Sequence, residues 1–359
     1  MQFRVGRPVL RAACAAVVLA VTLVSSGGAA GAHGGKIVKV LFRDDFSAGF
    51  DNVTAWDAIT TYTATGAELP EGDGIVTSSP AGITVVPTGV NPRTGQPAFA
   101  ATSAPDSGGF GGGTSDHLKW AAQPRQSAAD GVDVPTTGAL VCTAKVAVQT
   151  FGIVPNPFGA AAVSDPQSDP RLASATLITV DHHAHAVANM TVTNTQIYAV
   201  YERLPVEGST YAAYHYSIPV ARRSPGKLDT LQVKFDQGGR RVSWLVNGRR
   251  VLSTDQIGTH AFPRKYLRYD HGGTPERLAS EHVQCALGTG NLLDGAGGVG
   301  DRDKRALVRL SDAPDFYYST RLGPPLPQRF IDDASQTSNR LWGQGVRLRV
   351  GLFDMSYTR

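Results

Sequence analysis

The chain has 359 residues, 40 of them glycine and 22 proline, with 34 basic and 30 acidic side chains. Three of the arginines fall in the first eleven positions, and without them the balance is nearly neutral. That excludes nucleic acid or an anionic lipid surface as an electrostatically driven partner. No long segment has the 3.6-residue apolar spacing of an amphipathic helix, which sets helical folds aside.

Arg4, Arg7 and Arg11 precede an apolar run, Ala12 to Val24, that is too short to span a bilayer. Ala30-Gly31-Ala32 follows as a small-residue cleavage site. These features predict a signal peptide over residues 1–32 and a secreted or extracellular β-sandwich domain over 33–359, with no membrane contact after cleavage. Of three cysteines, Cys14 leaves with the leader. Cys142 and Cys285 are either a disulfide, as an oxidising compartment permits, or two buried thiols.

Lys36 to Phe42 alternates as a first strand, and Trp56 to Thr65 is Thr- and Tyr-rich enough for another. Between Glu71 and Gly113 the composition turns to Gly, Pro, Ser and Thr, with Ile83–Val86 as a short apolar run. Gly108 to Gly113 lacks the strand-to-helix setting of a phosphate loop and is expected to be a turn. Ala139 to Phe151 is a strand, and Val154 to Pro170, with four prolines, is a rigid surface loop. Strands are then predicted at Ala175–His182, Ala188–Thr193, Gln196–Leu204 and Tyr211–Val220.

The strongest local signal lies between Asp229 and Gly258. Leu231, Val233 and Phe235 alternate, Gln237-Gly238-Gly239-Arg240 turns the chain, and Val242, Trp244 and Val246 alternate again. Asn247-Gly248 then specifies a type I′ hairpin. With that loop, Val246 opposes Arg249 and Trp244 is expected opposite Val251. A loop-rich region follows, and Gly345 to Tyr357 closes the chain as a last strand. The order predicts an all-β fold, a two-sheet antiparallel β-sandwich.

The pattern of an apolar residue, Phe235-Asp236, then Val242-x-Trp244-x-Val246-Asn247-Gly248 resembles the back-sheet hairpin of concanavalin A-like lectin/glucanase jelly rolls. Arg43-Asp44-Asp45-Phe46-Ser47 with Trp56 is similar to their opening strand, and Val350 to Asp354 to their closing strand. Within that superfamily the chain looks most like an uncharacterised family of exported bacterial proteins. The resemblance implies a jelly roll and a sugar-related ligand on the concave sheet. The chain lacks the strand motif Glu-x-Asp-x-x-Glu of the glucanases, so none of their catalytic residues carries over.

Candidate chemistry falls in three groups. Asp181, His183 and His185 stand at two-residue spacing, which on a strand would let the imidazoles chelate a metal; in a turn they would simply be solvated. Glu202 is a carboxylate in an apolar strand, a general acid of raised pKa if burial dominates, with Asp181 the partner carboxylate for a glycoside hydrolase or lyase. Paired with a neighbouring base it would be only structural. His117, Trp120, Tyr198, Tyr201 and Arg203 supply rings and polar groups for a carbohydrate or other small amphipathic ligand, or else belong to the core. Asp294, Asp301 and Asp303 fit no calcium loop and predict a flexible acidic segment. No cofactor motif is present, and a protein purely structural at the surface remains the third alternative.

Overall fold

Period-two alternation in the Leu228–Asp236 strand puts Leu231, Val233 and Phe235 into the core while Gln232 and Lys234 stay partly exposed. The computed structural model describes residues 36–62, 68–102, 117–127, 130–206, 208–313, 316–317, 322 and 327–359. Among them, two large antiparallel sheets of eight and ten strands face each other across one apolar core. The fold is all-β, a two-layer antiparallel sandwich of jelly-roll type.

The back sheet runs Arg249–Thr254, Arg241–Val246, Leu228–Asp236, Ala139–Phe151, Gly345–Thr358, Gly82–Val86, Ile75–Ser79, and Ile37–Asp44 also pairs with the long closing strand. The front sheet runs Trp56–Ala58, Leu118–Pro124, His282–Gly290, Ser174–Asp181, the short pieces Ala186–Val187 and Met190–Val192, Gln196–Arg203, Ala213–Arg222, Leu267–Gly272, and Val132–Asp133 also pairs with His282–Gly290.

The hairpin forms at Asn247-Gly248, both with positive φ (52° and 79°), the pair of conformations a type I′ turn requires. Val246 opposes Arg249 as expected. Trp244, however, faces Leu252 and not Val251, because a register shift after Trp244 leaves Val251 without a partner. Trp244 is fully buried between the layers, and its indole N–H donates to Asn189 O at 3.0 Å. Cys142 on the back sheet and Cys285 on the front sheet are joined by a disulfide, Cα to Cα 6.2 Å.

Leu118–Pro124, Leu267–Gly272 and His282–Gly290, all in the front sheet, go unread in the sequence. The last, HVQCALGTG, is buried along nearly its whole length, so it shows no alternation and ends in glycines. The strand expected over Trp56 to Thr65 ends at Ala58, with a separate pair at Thr61–Tyr62, and residues 63–65 lie outside the described residues, as does Gly108 to Gly113. The Val154 to Pro170 loop contains one helical turn, Gly159–Ala162, and buries Val163 and Asp169.

Candidate functional site on the outer face of the front sheet

Direct pairing places Gln284, Val180, Val187, Glu202, His215 and Tyr269 in one row across the front sheet. Directly opposed residues share a face. Ile197, Ala199 and Tyr201, alternating with Glu202 on the same strand, enter the core, so this row lies on the outer side. Ser217, two residues after His215, and Tyr198, four before Glu202, lie on that side too.

Glu202 is held at both oxygens. Tyr269 Oη donates to Oε1, and His215 Nδ1 stands 3.1 Å from Oε2. That carboxylate oxygen lies off the ring N–H axis, so the second is a close polar contact and not an aligned hydrogen bond. The other imidazole nitrogen, Nε2, is 3.0 Å from Ser217 Oγ. Burial pushes the Glu202 carboxyl up, but His215, the Tyr269 hydroxyl and, further off, His117 outweigh it and hold the group below the ordinary carboxylate range. Glu202 is therefore an anion, and the raised pKa expected of a general acid is absent.

A loop from Asn291 to Asp301 lies against the same side, with Ala296 N donating to Arg268 O at 2.9 Å. Asp294 and Asp301 are buried, which corrects the expectation of a flexible acidic segment there, while Asp303 just beyond is partly exposed and pairs with Arg305. Asp294 accepts from Tyr317 Oη and contacts His117 Nε2, each at 2.8 Å. Asp301 and Asp169 share the Arg171 guanidinium at 2.6 Å apiece, so three charges below a tenth exposed compensate one another. Burial pushes Asp169 up, yet Arg171 and Arg268 hold it low; burial and Arg171 lower Arg268.

Between this loop, the Ser164 to Asp169 segment and the sheet lies a pocket of about 90 Å³. Tyr198, Ser217 and Arg268, from three adjacent strands, line its floor, and Asp165, Ser168 and Tyr266 its sides. A register shift beside His215 lets the neighbours Arg268 and Tyr269 both serve the outer side. Burial pushes the Tyr198 hydroxyl up to about 12, so it remains a donor, bonded to Ser168 O at 2.8 Å.

The predicted site residues scatter. Asp181 falls in the row of Ala186 and Arg203, so its side chain leaves the sheet on the face opposite Glu202. Its oxygens accept from the backbone N–H groups of His183, Ala184 and His282, which makes it the anchor of a turn and removes it as partner carboxylate. His183 packs on His282 and His185 on Tyr211, so the two imidazoles face different neighbours. Among the described residues no three His, Cys, Asp or Glu side chains are grouped to hold a metal. Trp120 is fully buried in the core. Tyr201 is a core residue whose hydroxyl meets Gln256 O, Thr259 O, Tyr214 Oη and Gly258 N. Arg203 lies over the Tyr211 ring at 3.6 Å and bonds Glu276. Glu202, Tyr198 and His117 are on the outer side.

Residues 43–359 match the model of a family of unknown function, DUF6081. The chain belongs to that family. An uncharacterised protein, L829, of Acanthamoeba polyphaga mimivirus is 25% identical over 35% of this chain and 42% of its own, so the chain spans under half of that relative. Among solved structures, the catalytic domain of a Thermotoga petrophila endo-1,3-beta-glucanase (laminarinase) covers 89% of this chain and 98% of its own at 8% identity, TM-score 0.41. A Bacillus licheniformis beta-glucanase covers 90% and 100% at 7%, TM-score 0.39. In this DUF6081 member, sequence reasoning missed His215, Ser217, Arg268 and Tyr269, and singled out Asp294 only as part of an acidic loop. His215 and Ser217 were within reach, since they alternate with Tyr214, Tyr216 and Ile218 in a recognised strand. Arg268 and Tyr269 sit in a segment without a periodic signal.

Proposed function

We propose that the protein is exported and binds a carbohydrate, or another small polyhydroxylated molecule, in the pocket over the outer face of the front sheet. The observation that carries this is the lining. Tyr198, Ser217, Ser168, Asp165, Arg268 and Tyr266 line the pocket together, a mixture of hydroxyl-bearing, charged and aromatic residues. Sugars ask for this mixture, since each hydroxyl both donates and accepts while the ring's C–H face packs on an aromatic surface. The Cys142–Cys285 disulfide supports the export reading, because such bonds persist in oxidising compartments. Residues 1–32 are then the leader, and N-terminal sequencing of secreted material should begin at His33.

The test is a glycan array together with thermal-shift titrations of neutral and acidic monosaccharides. Binding is expected, with Tyr266→Ala weakening it about tenfold, as loss of one aromatic anchor does. An array without a binder, together with no thermal shift from any sugar, would reject the proposal.

A further inference from the structure

Ser217, His215 and Glu202 do more than line a pocket. Ser217 Oγ is 3.0 Å from His215 Nε2, and His215 Nδ1 is 3.1 Å from Glu202 Oε2. An imidazole thus stands between a hydroxyl and an anion, each at its own ring nitrogen, which is the order of parts in a serine hydrolase, a constellation known by geometry and not by chain position. Tyr269 fixes the far oxygen of Glu202. Ser217 faces the pocket, and Arg268 in the same wall keeps a buried Nε with no partner among the described residues, only Nη1 being bonded, to Ala296 O at 3.1 Å.

We propose that this pocket is the site of an ester hydrolase acting on an acylated sugar or polyol, with Ser217 as nucleophile, His215 as general base and acid, and Glu202 as the positioning residue. The proposal rests on the pocket reading above. Ser217 Oγ gives its proton to His215 Nε2 and forms a bond to the ester carbonyl carbon. The carbonyl oxygen takes the electron pair as an oxyanion, and the Arg268 guanidinium is the cation in the same wall that compensates it. The oxyanion collapses, the carbon–alkoxide bond breaks, and Nε2–H protonates the departing sugar hydroxyl. Water then repeats the sequence on the acyl-serine: it loses a proton to Nε2, attacks the carbonyl, and releases the carboxylic acid and Ser217 Oγ–H. No redox partner is needed. A pocket of about 90 Å³ takes an acetyl-sized group and not a long acyl chain.

The full chain is treated with a fluorophosphonate and the adduct mapped by peptide mass spectrometry, while hydrolysis of 4-nitrophenyl acetate and of peracetylated monosaccharides is followed. The expected result is a single adduct on Ser217, with Ser217→Ala and His215→Asn each lowering the rate on the order of 10³-fold or more. Glu202→Gln should lower kcat while KM holds, and Glu202→Asp should restore part of it, a split that a merely structural role would not produce. An unlabelled wild type, an adduct on another serine, or a Ser217→Ala protein as fast as wild type overturns the relay. Mapping uses the native chain, so misfolding of a variant cannot mask the outcome. Sugar binding by the wild-type chain separates the two proposals: binding without hydrolysis ends the relay alone, and absence of both ends the pocket reading as well.

Discussion

The strand Gln196–Arg203 has two sides that differ in everything except their backbone. Inward, Ile197, Ala199 and Tyr201 enter the core, and the Tyr201 hydroxyl is saturated by four neighbours. Outward, Tyr198 reaches a pocket and Glu202 lies against His215 and Tyr269. Two tyrosines three residues apart therefore have unrelated jobs, and parity within the sheet, not residue type, assigns them. The inner side is held by apolar burial and bridged to the back sheet by a disulfide; the outer side is held by compensated charge. Inner-side changes should cost stability, and outer-side changes should cost chemistry.

The largest expected effect comes from cutting the bridge between layers. For cysteines 143 positions apart, the chain-entropy account gives about 5 kcal/mol. Cys142→Ala/Cys285→Ala should lose stability of that order in urea titrations, and a loss below 1 kcal/mol would show that the apolar layers hold together without it. Trp244→Ala comes next, at about 4 kcal/mol for a fully buried ring replaced by a cavity. Tyr201→Phe should cost about 2 kcal/mol, because the Tyr214 hydroxyl and Gly258 N–H lose their acceptor inside the core. If Tyr201→Phe instead abolished sugar binding at unchanged stability, the assignment of that ring to the core would be wrong. Ser217→Ala should move stability by no more than about 1 kcal/mol.

These contrasts also mark what could be read from the chain in advance. The sandwich, the hairpin at Asn247-Gly248 and the burial of Trp244 follow from period-two alternation and one turn dipeptide, both local signals. Tyr198 was separable from Tyr201 only once neighbouring strands fixed which side faces the core. Asp181 and Glu202 looked like a pair because both sit in front-sheet strands, yet pairing through Ala186–Val187 puts them on opposite faces, a one-residue difference in register. The loop bearing Asp294 and Asp301 reads as flexible from its glycines, because burial there comes from Arg171, His117 and Tyr317, distant in sequence. Long-range charge compensation leaves no periodic trace.

The smallest expected effect is the finest probe of the outer side. The folded state holds Glu202 below the ordinary carboxylate range against the opposing pull of burial, mainly through His215 and Tyr269. A depressed folded pKa means the unfolded chain binds the proton more readily, so the contribution is complete at neutral pH. It fades as pH falls through the ordinary carboxylate range and is gone below the folded value. Glu202→Gln should therefore be less stable than wild type near pH 7, with the gap closing on acidification as measured by urea midpoints across pH 3 to 7. No gap at any pH in that range would mean the Tyr269 hydrogen bond, equally available to an amide oxygen, holds the row together and the charge on Glu202 contributes nothing.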